Sequence, residues 1–227
     1  RYKVHLIYMA NEYEYMDQDM DSESQMIEEQ LVSTLLEDHE IRTNMLHTML
    51  QAGLDKEILG QIFQTFLRGF VHDENSAQYI VLDDVDRNHH ICYFGWAKFK
   101  KVHVELIAKY SPLIEMGAGS GWLAYLLKHR GANIAAFDTY DGKTFASTWK
   151  NLPWFQHVQE GSIGKLTEPT FKSFTLLLCW PDVASPFGFD CLKAFQGDTL
   201  VFVGEREGGN TADKTFYQEL NKNWKLL

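Results

Sequence analysis

The sequence predicts an α/β fold, a doubly wound and mostly parallel sheet with an N-terminal helical segment. Three observations carry that expectation. From about residue 91, short apolar runs (112–116, 133–137, 155–159, 175–180 and 199–203) alternate with helical stretches (96–109, 121–130, 143–151, 187–195 and 211–222). Such alternation reads as parallel strands joined by crossover helices on both faces. The first run closes on Glu115 and three alternate glycines, Gly117, Gly119 and Gly121, where an open α/β sheet presents its ligand crevice. Residues 25–70, by contrast, repeat their apolar side chains at helical spacing.

Taken in order, the elements begin with "YKVHLIYMA" (2–10), which is β-prone and sets Tyr2, Val4, Leu6 and Tyr8 on one face. "NEYEYMDQDMDSES" (11–24) is acidic and lacks apolar periodicity, so an exposed connection is expected. Ser22 and Gln25 have capping-box spacing. Met26, Ile27, Leu31, Leu35 and Leu36 then recur as one helical face, as do Met45, Leu46, Met49 and Leu50 before Gly53. Asp55 is a cap candidate for a further helix carrying Ile58, Leu59, Ile62, Phe63, Phe66 and Phe70. The expected division is an acidic, mostly helical segment over 1–90 and a sheet domain over 91–227.

Charge follows the same division. Of the net −10, residues 1–90 hold 6 Lys/Arg against 18 Asp/Glu, and residues 91–227 hold 15 against 13. The front segment repels nucleic acid and suits a basic protein partner, whereas the remainder leaves nucleic acid open as a partner. No apolar stretch approaches the ~20 residues that span a bilayer, so no membrane partner is expected. Three scattered cysteines (Cys92, Cys179, Cys191) form neither a disulfide framework nor a CxxC metal site. A reducing, cytoplasmic setting is the expectation. The chain opens on Arg1 without a signal-peptide pattern, so a processed chain or a fragment is expected, and a removed targeting segment stays open.

The glycine spacing is GxGxG. A dinucleotide loop wants GxGxxG, and the third position is Trp122. That indole disfavours close passage of a pyrophosphate, and with it a nicotinamide-dependent oxidoreductase. Glu115, two residues before the first glycine, suits a cationic ligand better than a phosphate. Asp138 ends the second run, placed to accept both hydroxyls of a ribose. "EMGAGSG" (115–121) and "AAFD" (135–138) resemble the first and second motifs of the class I S-adenosylmethionine-dependent methyltransferases. The resemblance covers roughly 91–227. "YFGWA" (93–97), "LLLCWPD" (176–182), "LVFVGE" (200–205) and "GGNTADKTFY" (208–217) are most similar to an uncharacterised methyltransferase-like family.

The resemblance implies a Rossmann-like methyltransferase fold and S-adenosylmethionine as cofactor, with an unidentified methyl acceptor. It implies that Glu115, Gly117, Gly119 and Gly121 carry the cofactor's methionine and ribose portions and that Asp138 holds the ribose. "VQEGSIGKL" (158–166), with Ser162, is similar to the segment lining the adenine; Trp180 joins the cofactor-binding set. Acceptor chemistry is expected at the end of the fourth strand, "CWPD" (179–182), where amine methylases carry Asn/Asp-Pro-Pro-Tyr. Here Asp182 and Val183 stand at the third and fourth of those positions. Asp182 is read either as a base or cation-binding group or as a turn residue after Pro181. Glu205 ends the fifth strand, either toward the cleft or as a solvated carboxylate. Thr211 is read as a helix cap, and Tyr93 and Trp96 as cofactor cover or core. None of the nine histidines forms a zinc motif, His89, His90 and Cys92 lack a fourth ligand, and no metal is expected.

Two functions from different classes follow. One is a methyltransferase; the alternative is a methyltransferase-like, non-catalytic scaffold or subunit of a larger assembly. A full fold of this type continues through a sixth strand and an antiparallel seventh, for which the sequence after "NWKLL" (223–227) leaves no room. The edge of 199–203 is then expected to be covered by 2–10, with a dimer partner or a continuation past residue 227 as rivals.

Overall fold

The structure, a computed structural model, describes residues 2–8, 48–54, 91, 94–140, 149–150 and 152–227. Most of the helical expectation over 25–70, together with Tyr93, His89, His90 and Cys92, lies outside them. Within 48–54 a helical turn over 48–51 stops at Gly53, whose φ of +86° ends it where the apolar spacing breaks.

Seven strands form one sheet: β1 (Tyr2–Tyr8), β2 (Leu113–Met116), β3 (Ile134–Asp138), β4 (Val158–Glu160), β5 (Thr175–Cys179), β6 (Thr199–Gly204) and β7 (Trp224–Leu226). Their order is β4-β3-β2-β5-β6-β1-β7, and every strand pairing is parallel. The helices are α1 (Lys101–Ala108), α2 (Trp122–His129), α3 (Phe187–Ala194) and α4 (Lys214–Asn223). Among the described residues no helix is long and apolar enough to cross a membrane.

Alternation along the central strands sorts the core into two layers. Leu113, Ala136, Leu177, Val201 and Val203 pack with α1, α2, Met49, Trp149 and Trp154. Ile114, Met116, Leu176, Leu178, Leu200 and Phe202 pack with α3 and α4. Nearly all of these side chains are fully buried, each worth roughly 1.5–3 kcal/mol relative to an exposed position. Helices cover both faces, so the sheet is doubly wound.

Two expected elements differ. The apolar run 155–159 is mostly a 3-10 turn, Pro153–His157, and only Val158–Glu160 is strand. Pro153 opens the turn, and its aromatic neighbour Trp154 is buried at 0% exposure rather than alternating. The helix expected from 211 begins at Lys214, capped by Asp213, whose carboxylate accepts the Phe216 N–H at 3.0 Å. Thr211 is wholly buried instead, its hydroxyl accepting the Glu205 N–H at 2.7 Å.

Residues 2–8 lie along β6 in register from Lys3 opposite Thr199 to Tyr8 opposite Gly204. The three residues of β7 pair with the outer side of β1. Val4 enters the α3/α4 layer and Ile7 the α1/α2 layer, Tyr2 stacks on Trp224 at 4.9 Å, and His5 Nδ1 meets the Tyr110 hydroxyl at 2.8 Å. The sheet therefore draws on both sides of the boundary expected at 90/91.

Candidate functional site

The chain reverses direction of winding between β2 and β5, the two central neighbours, and the crevice beyond their carboxyl ends is where an open α/β sheet takes ligands. The loop 117–121 leaves β2 there. Gly117, Gly119 and Gly121 have φ of +72°, +55° and +81°, a left-handed backbone that side-chain-bearing residues rarely adopt. The loop stays laced to β3, since Gly117 and Ala118 both donate to the Phe137 carbonyl at 2.9 and 3.1 Å. Ser120, almost fully buried, donates to the Phe94 carbonyl at 3.0 Å and accepts the Trp122 N–H at 3.3 Å, so 94–95 is held against the loop.

Gly121 has the tightest surroundings of the three. A Cβ there would meet Val158 Cγ2 at 2.6 Å and the Trp154 carbonyl at 3.0 Å. Close packing of helix α2 thus falls on Gly121, one position earlier than in GxGxxG. Trp122 is 1% exposed and sits among Phe94, Tyr125 and Trp154. Its ring is core and presents no obstacle to a ligand at the loop, so the steric ground for disfavouring a pyrophosphate falls away. Charge takes its place. Glu115 and Asp138 are each 2% exposed, and both lie close enough to raise the Tyr140 phenol's pKa, after burial as the larger cause. Of the two, Glu115 opposes a pyrophosphate and favours a cation, whereas a strand-end carboxylate such as Asp138 suits the ribose of either kind of cofactor.

Asp138 also has a structural task. Its Oδ2 accepts the Gly119 N–H at 2.8 Å and its Oδ1 the Tyr140 N–H at 2.9 Å. The carboxylate ties the glycine loop to the segment leaving β3. Tyr140 has φ of +60°, packs on Phe155 at 5.1 Å and brings its hydroxyl within 3.5 Å of the Gly119 carbonyl. On the other flank of β2, Trp180 follows β5 with φ of +54° and donates its N–H to the Val203 carbonyl at 2.8 Å. Two bulky aromatic residues in left-handed backbone thus leave the two strands that flank β2. Such conformations cost about 1–3 kcal/mol each and cluster at functional sites. Neither conformation is legible from the sequence, because nothing about an aromatic residue signals positive φ. The sequence reading singles out Trp180 but neither Tyr140 nor Trp149, whose buried ring lies 3.5 Å from where a Gly119 Cβ would stand.

Cys179 ends β5 under the same loop. Burial, and then the Glu115 carboxylate, push its thiol well above the ordinary thiol range, so it is protonated at neutral pH. Ser162 is exposed and precedes the 3-10 turn Ile163–Thr167, while Gly161 donates to the Asp138 carbonyl at 3.1 Å and so brings 161–162 beside the end of β3. Trp96 lies partly exposed one residue past Gly95, which abuts Ser120.

The two carboxylates expected to do acceptor chemistry are placed differently from that set. Asp182 is exposed, and its Oδ1 accepts the Ala184 N–H at 2.8 Å, the turn arrangement expected after Pro181. Glu205 is 5% exposed; its Oε2 accepts the Asn210 N–H, its own N–H goes to Thr211, and its carbonyl accepts the Tyr217 hydroxyl at 2.9 Å. It braces the loop 205–211 rather than standing solvated at a strand end. Among the described residues no three His, Cys, Asp or Glu side chains gather closely enough to hold a metal ion.

No protein-family model matches the chain, and no curated protein or solved structure matches it either. The geometry defines the class no further than a doubly wound, parallel α/β fold with a glycine loop at its switch point.

Proposed function

We propose that this chain binds S-adenosylmethionine at the loop 117–121 and acts as a methyltransferase on an acceptor still to be identified. The observation that carries the reading is the pair of buried carboxylates, Glu115 and Asp138, beside three left-handed glycines at the switch point. A sulfonium cofactor suits the Glu115 charge and a dinucleotide's pyrophosphate does not; Asp138 suits the ribose of either. When bound, the cofactor supplies an electrophilic methyl group on a sulfonium. On this reading Gly117, Gly119 and Gly121 let the backbone approach it, Glu115 faces its positive end, Asp138 receives the ribose hydroxyls, and Ser162 and Trp180 border it. The protein's task is then alignment and exclusion of water. Asp182, already in a turn, retains a solvent-facing oxygen for a cationic acceptor. The acidic balance of residues 1–90 suits a basic protein partner, and a reducing, cytoplasmic setting accompanies three scattered cysteines.

A second reading, a non-catalytic module of a larger assembly, is favoured by one observation: the buried Glu205 carboxylate is engaged within its own loop, leaving it unsuited to act as a base. Calorimetric titration with S-adenosylmethionine, S-adenosylhomocysteine and NAD tests the first reading. Binding of both adenosyl ligands and not NAD is expected; binding of NAD alone, or of none, overturns it. Labelled-methyl transfer to any fraction of a cell extract then separates enzyme from scaffold.

A further inference from the structure

We propose that Tyr140 is a latch over Asp138 and the glycine loop, and that it must swing out before a ribose diol reaches the Asp138 carboxylate. The inference rests on the cofactor reading above and concerns how the same site is entered. Asp138 is 2% exposed, and each of its oxygens already accepts a backbone N–H, from Gly119 and from Tyr140 itself. At that exposure a ligand hydroxyl reaches the carboxylate only if a group beside it moves.

Tyr140 is that group. Its amide is on Oδ1, its hydroxyl is 3.5 Å from the Gly119 carbonyl, and Gly119's own amide is on Oδ2, so the two residues close a ring around the carboxylate. The side chain is held from outside by Phe155 at 5.1 Å and by the Lys150 ammonium 5.8 Å from the ring centre. The polar contacts are of a kind that release readily, one long hydroxyl contact and one solvated cation, and the ring, tilted against Phe155, is only half-buried on the α1/α2 layer. Against them stands a backbone at φ +60°, unfavourable for a tyrosine. Strain on one side and weak, separable contacts on the other make a latch that opens without unfolding anything around it.

Two variants and two readouts test this. Tyr140→Phe keeps the ring and loses the hydroxyl contact; Tyr140→Gly loses the cover and relieves the backbone. In the ligand-free protein, hydrogen exchange at the Gly119 amide is expected to quicken severalfold in Tyr140→Phe and at least tenfold in Tyr140→Gly. With S-adenosylhomocysteine in stopped-flow, the association rate constant is expected to rise at least threefold in Tyr140→Gly. Unchanged Gly119 exchange in both variants overturns the latch, whatever the ligand does. Weaker binding at an unchanged association rate overturns it too, because Tyr140 is then a wall of the seat and not its cover. If wild-type protein binds no adenosyl ligand, the cofactor reading fails by itself, and the exchange measurement still decides whether Tyr140 covers Asp138.

Discussion

Glycines of equal appearance in the sequence differ in what they tolerate. Gly121 combines φ of +81° with neighbours that leave no room for a methyl group, whereas Gly131 has φ of +77° and nothing within 4 Å of an added Cβ. Gly121→Ala is therefore expected to cost about 2–4 kcal/mol, the left-handed penalty plus overpacking, and Gly131→Ala only about 1 kcal/mol. Urea denaturation of the pair separates the two contributions; equal losses would refute the packing role of Gly121. Asp138 was legible from the sequence as a strand-end carboxylate. Its capture of two backbone N–H groups was not, since those bonds depend on the left-handed turns at Gly119 and Tyr140. Asp138→Asn turns an amide NH₂ toward one of these N–H donors. It is expected to lose about 1–3 kcal/mol of stability, read as a lower urea midpoint with an unchanged denaturant slope. Loss of ligand affinity in any Asp138 variant has to be read beside that loss.

Four of the five apolar runs became strands within a residue or two of their expected limits, because interior parallel strands are buried on both faces and so carry continuous apolar sequence. The exception, 155–159, shows what apolar content alone leaves ambiguous: a proline at its head turns the same residues into a 3-10 turn. The cap of α4 moved from Thr211 to Asp213 for a related reason, as both are good caps and tertiary burial took the threonine. Strand β1 fills the edge of β6, where alternation in 2–8 pointed. Removing residues 1–8 uncovers β6 and leaves β7 without its neighbour. The expected result is self-association through the bare edge, seen by light scattering as a shift from the wild-type species to larger ones. A truncated chain with unaltered mass and unaltered melting would show that β1 contributes nothing to closure.

Across the molecule, buried thiols and a phenol among the described residues are expected to lower stability as pH rises. Burial raises the Cys191, Cys179 and Tyr217 groups above their ordinary values, with nearby carboxylates Asp190 and Glu115 adding to the two thiols. The unfolded chain releases these protons first as pH rises, so it binds fewer protons than the native state and stability falls. The contribution is intact below about pH 8 and is lost as pH climbs past the ordinary thiol value. For Cys191, at 0% exposure, the loss by pH 10 is roughly 2 kcal/mol. Urea midpoints measured from pH 7.5 to 10 are expected to fall, and Cys191→Ala to flatten the fall; a midpoint that holds steady would contradict it. The place of β1 has a consequence in time as well as in space. Its partner β6 lies almost a full chain length away, from Lys3 to Thr199. During translation at about 5–20 residues per second, β1 stays without its partner for on the order of 10–40 s after it is made. A β-prone ribbon left waiting that long is a target for chaperones, and its late docking, with a high contact order, makes closing the sheet a slow step in folding.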